Sequence, residues 1–233
     1  MIPNTLFTKE NIEFLRAFTT SSKDNGFKIF FLHSRKIDSL MKEALYSESI
    51  VGYIISKEEI DPYVISASKT VSDAPDWEHI KSIIKNKYNE YYTDRTVMPA
   101  KIRWFAYRRE WSQLTKNTVA MVKKYGSTIS NWDLNDYGMS VLLFSNNKNE
   151  INEAINWMTK VVKMESDSSN LLPASLDTYA NLLYKSGRKS EAIKIENRAL
   201  NMAVTFNISN FIEDFKGVLE KMKRGQPTWL RNQ

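Results

Sequence analysis

The stretch Ser175–Leu200, SLDTYANLLYKSGRKSEAIKIENRAL, constrains the fold more than any other part of the chain. Leu172, Leu176, Tyr179, Ala180 and Leu183 recur at the three-and-four spacing of one helical face. Gly187 supplies a residue that tolerates positive φ where that helix must stop, with Lys185, Arg188 and Lys189 beside the exposed carbonyls. Ser190 and Glu191 open a second helix, whose Ala192, Ile195, Ala199, Leu200 and Ala203 form another apolar stripe. Antiparallel helices joined this tightly need small side chains where their backbones approach. Ala180, Ala192 and Ala199 meet that need, and the stretch reads as a helical hairpin made for stacking.

With Ala192 at the small position of the second helix, Leu176, Tyr179, Ala180, Leu183, Gly187 and Ala199 resemble the signature of a tetratricopeptide repeat. The match departs at Glu196, where that repeat prefers a large apolar residue, so the helix is expected to be less buried there. An earlier copy places Ala154 where the later one has Ala192, 38 residues on, and Trp157 where it has Ile195. The polar insert ESDSSN (165–170) accounts for the excess over a 34-residue period. The run DTYANLLYKSGRKSEAI also resembles the helical C-terminal region of a bacterial thioredoxin-like protein family, a likeness covering the second half of the chain. The resemblances imply an all-α fold of hairpin repeats, a right-handed tetratricopeptide-like solenoid preceded by a smaller helical segment. They also imply an accessory region of a periplasmic or otherwise exported protein. The family's thioredoxin domain is missing from this chain, which contains no cysteine.

By analogy with the repeat, inner-helix positions not used for packing face a groove: Asp177, Asn181, Tyr184 and Lys185, with Asp136 and Asn147 from the earlier copy. An amide, a phenol and a cation together can grip a peptide backbone or its carboxylate. Asp177, read as a first-turn residue, has the plainer alternative of satisfying backbone donors.

Along the chain, Thr8 caps a first helix to Thr20, with Ile12, Leu15 and Phe18 as its apolar edge. FKIFFLHS fits a short strand or a short buried helix; helix is preferred, because no second strand signal exists to pair with it. Helices are expected from Ser34 to about Ala44 and from Ser47 to Glu59, with Pro62 ending the latter. The small, polar SASKTVSDAP (66–75) marks the boundary between a segment 1–66 and a repeat region 76–224. There a helix runs from Asp76 to about Tyr92, a loop ends at Pro99, and a long helix spans about Ala100 to Tyr125, with a kink near Trp111 to Thr115. Hairpin helices 132–145 and 150–164 precede the one described above. The amphipathic Ile208–Arg224 then caps the stack or, alternatively, offers its stripe to a partner or membrane surface. The whole amounts to about ten helices.

Chemistry is sparse. Without cysteine there is no disulfide, thiol catalysis or thiolate metal site. His33 and His79 lie far apart and neither has a second ligand at metal spacing. Phosphate-cradle and nucleophile-elbow motifs are missing, and Glu58–Glu59 and Glu213–Asp214 sit beside lysines as solvated faces do. The expectation is a chain without catalytic residues, metal or cofactor that binds a protein or peptide. A hydrolase would require a deep pocket with convergent polar groups.

The competing signal is the basic, aromatic middle. Between Glu78 and Lys124 there are eleven lysines and arginines against four acids, a surplus of seven that exceeds the net +6 of the whole chain. Arg103, Trp104, Arg108 and Arg109 could stack single-stranded RNA bases while meeting phosphates. The alternative is that Trp104, Tyr107 and Trp111 form one buried helical stripe with the arginines on its wet side. No apolar run approaches the ~20 residues of a membrane span. MIPNTLFTKE carries no basic region followed by an apolar core, so no signal peptide is expected and a cytoplasmic location is the alternative to export.

Overall fold

The computed structural model describes residues 4–69 and 74–229, and every regular element among them is helical. The chain divides into two compact units, Met1–Trp104 and Phe105–Gln233.

In the first unit, α1 (Lys9–Ala17) starts at Thr8, whose hydroxyl accepts from the Asn11 amide. FKIFFL settles as helix: α2 (Asn25–Leu32) buries Phe27 and Phe30. It comes so close to the end of α1 that a Cβ on Gly26 would overlap the Thr19 side chain. α3 (Ser34–Met41) and α4 (Tyr46–Ile55) follow, and α2, α3 and α4 pack together around Phe30, Ile37, Val51 and Ile54. Pro62 does not end α4 as expected. A π-helical turn, Ser56–Ile60, continues directly into α5 (Asp61–Lys69). There the Asp61 amide donates to the Ser56 carbonyl five residues back, a widening that gives the Pro62 ring room beside the preceding turn.

The boundary expected at 66–75 falls inside this unit, and its residues 70–73 lie outside the described residues. The reason is tertiary. α6 (Trp77–Lys87) packs on the π turn, and Lys87 donates to Glu59. The rings of Phe31 and Tyr92 stack at 5.3 Å, and Tyr91 donates to Glu48. α6 stops at Lys87, earlier than the expected Tyr92, and α7 (Glu90–Tyr107) runs straight through Pro99. An interior proline costs about 3 kcal/mol. Burial of Tyr92, Val97, Ala100, Ile102 and Trp104 on both sides of it outweighs that cost. The helix expected over 100–125 is in fact two, broken at Arg109, which takes φ 56°.

The second unit contains α8 (Trp111–Tyr125), α9 (Asn131–Phe144), α10 (Lys148–Met164), α11 (Leu172–Lys185), α12 (Lys189–Thr205) and α13 (Ser209–Lys223). Each packs on the next, except that the run is also crossed by contacts of α8 with α10, α9 with α11, and α11 with α13. Helix bounds set the spacing of the two hairpins at 41 residues rather than 38, since 172 − 131 and 189 − 148 both equal 41. The apolar face of α13 is covered: Phe215 packs with Leu172, Leu176, Ala199 and Ala203, and Met222 joins the larger core.

Candidate functional site

α11 lies at the centre of the second unit and is buried on two faces. Leu172 and Leu176 meet Ala199 and Ala203 of α12, while Tyr179, Ala180, Leu182 and Leu183 join the core built by α9 and α10. A helix enclosed in this way carries its polar residues inward. Ser175, Thr178 and Asn181 are all buried, and the Ser175 and Thr178 hydroxyls have no partner among the described residues.

The most unusual chemistry is a carboxyl pair between α11 and α12. Glu196, expected where the helix would be less buried, is wholly buried within the alanine stripe Ala192, Ala199, Ala203. It neighbours the half-buried Asp177, and both Glu196 carboxyl oxygens are buried without a hydrogen-bond partner among the described residues. Burial pushes the Glu196 carboxyl well above the usual carboxylate range, and the neighbouring Asp177 charge pushes it further. Burial also raises Asp177, with Asp214 of α13 adding to it and the hydrogen bond from Asn181 opposing it. A buried carboxyl that receives no donor and neighbours a second acid favours its protonated form. Asp177 is not a first-turn residue, because α11 begins at Leu172. Asn181 Nδ2 donates to both its carbonyl and its carboxyl oxygen, each at 2.8 Å.

The other expected groove residues are held within the unit. Tyr184 is buried and its hydroxyl donates to the Met222 carbonyl at 3.1 Å. Half-buried Lys185 donates to the Leu142 carbonyl at 2.6 Å, a cation against the C-terminal carbonyls of α9. Trp229 lies against both, with ring centroids 6.3 Å apart from Tyr184 and the Lys185 Nζ 5.2 Å from its ring. Asn147 caps α10 by accepting from the Asn149 amide. Asp136 is exposed on α9, and partial burial followed by the nearby Asp133 raises its carboxyl. Asp177, Asn181, Tyr184 and Lys185 thus share one helix. Sequence reasoning missed Glu196 and Trp229. Glu196 was readable from its place in the alanine stripe, whereas nothing local to Trp229 points to α11.

The basic set divides between the units, Arg103 and Trp104 in the first, Arg108 and Arg109 in the second. The three arginines are exposed, but Trp104 is 2 % exposed and presents no free face to a base. Nor do the aromatics form one stripe. Tyr107 is exposed, and Trp111 belongs to the next helix, where it stacks on Phe144 at 4.1 Å. His33 lies edge-on to Phe7 and His79 edge-on to Tyr63. No cluster of three or more metal-ligating side chains occurs among the described residues, and no helix there is long and apolar enough to cross a membrane. No family model matches the chain, and no curated protein or solved structure matches it.

Proposed function

We propose that the chain is a non-catalytic helical scaffold whose second unit is a tetratricopeptide-like array that recognises a protein or peptide. The observation that carries this reading is the pair of hairpins α9–α10 and α11–α12. Their helices have the same lengths, 14 and 17 residues, and a common spacing. Corresponding positions share Asp136 with Asp177, Leu142 with Leu183, Ser145 with Ser186, Glu150 with Glu191, and Asn156 with Asn197. α13 closes the open end, as a terminal helix does in stacked arrays. On the family likeness, the array serves as the accessory region behind a thioredoxin-like domain in an exported bacterial protein, positioning that domain or its client.

Panning a random peptide library against the intact chain tests the reading. Enriched peptides whose affinity falls by about tenfold when the exposed Asp136 is reversed in charge support it. A chain that enriches no peptide, or that instead captures single-stranded RNA with steep salt dependence, overturns it.

A further inference from the structure

We propose that the face of α11 carrying Tyr184 and Lys185 is a docking site for a tryptophan presented by a peptide, and that residues 225–229 of this chain occupy it in cis. The inference rests on reading the second unit as an interaction module, and it names the recognised chemistry.

α13 ends in a left-handed turn. Gly225 takes φ 74°, its amide bonds to the Met222 carbonyl, and the Gln226 amide bonds to the Lys221 carbonyl. This closed helix end turns the chain off the helix axis, and Trp229 lies against the end of α11. The Tyr184 hydroxyl reaches the same Met222 carbonyl, so α11 itself fixes the point from which the segment departs. Pro227 follows, with a fixed φ and no amide donor.

Beyond Gln226 no backbone hydrogen bond holds the described residues 227–229. Gly225, Gln226 and Pro227 are exposed, and the Thr228 hydroxyl is buried without a partner. What fastens the segment is Trp229, half-buried against the core and covered by the Lys185 ammonium and the Tyr184 ring. Lys185 is pre-aimed for this role. Its ammonium is fixed on the Leu142 carbonyl, and burial lowers its affinity for a proton without the help of any carboxylate. A partly desolvated cation over an indole face is the strong form of that contact. A segment anchored through one aromatic side chain and free of backbone pairing is replaceable by another peptide that offers the same side chain. Its tethering gives it a high effective concentration, so the intact chain resists such exchange.

The probe is a fluorescently labelled synthetic peptide of residues 224–230, RGQPTWL, titrated by anisotropy into the intact chain and into Trp229→Ala. The variant should bind it at least about tenfold more tightly than the parent, because the tethered competitor is gone. The same peptide with alanine for tryptophan should not bind, and adding Lys185→Ala should weaken binding. Equal affinity for parent and variant, or no binding to the variant, overturns the proposal. So does dimerisation of the variant with no gain in peptide affinity, which would assign the face to a second copy. Should Trp229→Ala fail to fold, a protease site inserted between Gln226 and Pro227 and cut after folding exposes the same face for the same titration. Failure here alongside library peptides that bind elsewhere on the unit leaves the scaffold reading standing. An empty library screen alongside tight binding of this peptide does the reverse.

Discussion

Hairpins α9–α10 and α11–α12 have the same dimensions and different interiors. In the first, Gly138 lets Met158 approach, and a Cβ at that glycine would lie 3.1 Å from the Met158 sulfur. In the second, the corresponding positions are Tyr179 and Ala199, so the large side chain has moved to the other helix. The bulk lies on α10 in the first hairpin and on α11 in the second. The polar residues differ similarly. Ser140 Oγ donates to the Asp136 carbonyl, and Asn181 Nδ2 donates to the Asp177 carbonyl, the same four-residue step back along each helix. Only the second hairpin adds a buried acid, Glu196, where the first has Ile155. Helix length and loop therefore set the hairpin, and the interior chemistry is free to vary provided volume and protons are accounted for.

The severest way to break the comparison is to give the first hairpin the second's acid. Ile155→Glu buries a carboxyl in an apolar core and should cost about 3–5 kcal/mol in urea unfolding. A loss below about 1 kcal/mol would mean that the site opens to water or that Asp136 takes the role of Asp177.

The reverse exchange should stabilise. Glu196→Ile removes a group whose native affinity for a proton is raised by burial. The folded state therefore binds more protons than the unfolded one, and stability falls as pH rises. The contribution of Glu196 is complete below the ordinary glutamate value of 4.5 and is lost as pH climbs toward its raised native value. Glu196→Ile should accordingly gain about 1–3 kcal/mol near pH 8, and less near pH 5. Thermal melts across that range check it, and a parallel shift at every pH would show that the carboxyl is ionised throughout.

Much of this was legible in the sequence, and the misreadings have physical causes. The three-and-four spacing of Leu172, Leu176, Tyr179 and Leu183 with a following Gly187 specified α11 and its end, where Gly187 does take φ 93°. The spacing between hairpins was read three residues short, because Ala154 and Ala192 are both small and three residues are nearly one helical turn. Glu196 sits at four-, three- and four-residue steps with Ala192, Ala199 and Ala203, yet its charge argued for solvent. Pro62 and Pro99 were read by local rules that a π turn and a buried helix face override. Tyr184 and Lys185 were assigned to an open groove because the segment that covers them lies some forty residues away, a contact no local pattern encodes.

A smaller effect tests the division of volume. Gly138→Val crowds Met158 and the Thr178 methyl, 3.1–3.3 Å from the added Cβ position, and should cost about 1–2 kcal/mol. Combined with Met158→Ala it should cost less than the sum of the two single changes, since each relieves the other. Strict additivity would show that the two positions do not share space.

The smallest change separates the hydrogen bond from the carboxyl pair. Asn181→Ser gives the second hairpin the residue of the first, and the hydroxyl can still reach the Asp177 carbonyl, as Ser140 reaches that of Asp136. What it cannot supply is the bond to the Asp177 carboxyl oxygen, now 2.8 Å from Asn181 Nδ2. That bond favours the charged form of Asp177, so its loss should move the Asp177 titration upward, readable from its side-chain carboxyl resonance. The stability cost should be only about 0.5–1.5 kcal/mol. It should vanish in a Glu196→Gln background, where the introduced side-chain amide supplies a donor to the same carboxyl. An unchanged Asp177 midpoint would assign the asparagine to the backbone carbonyl alone, the same part that Ser140 plays in the first hairpin.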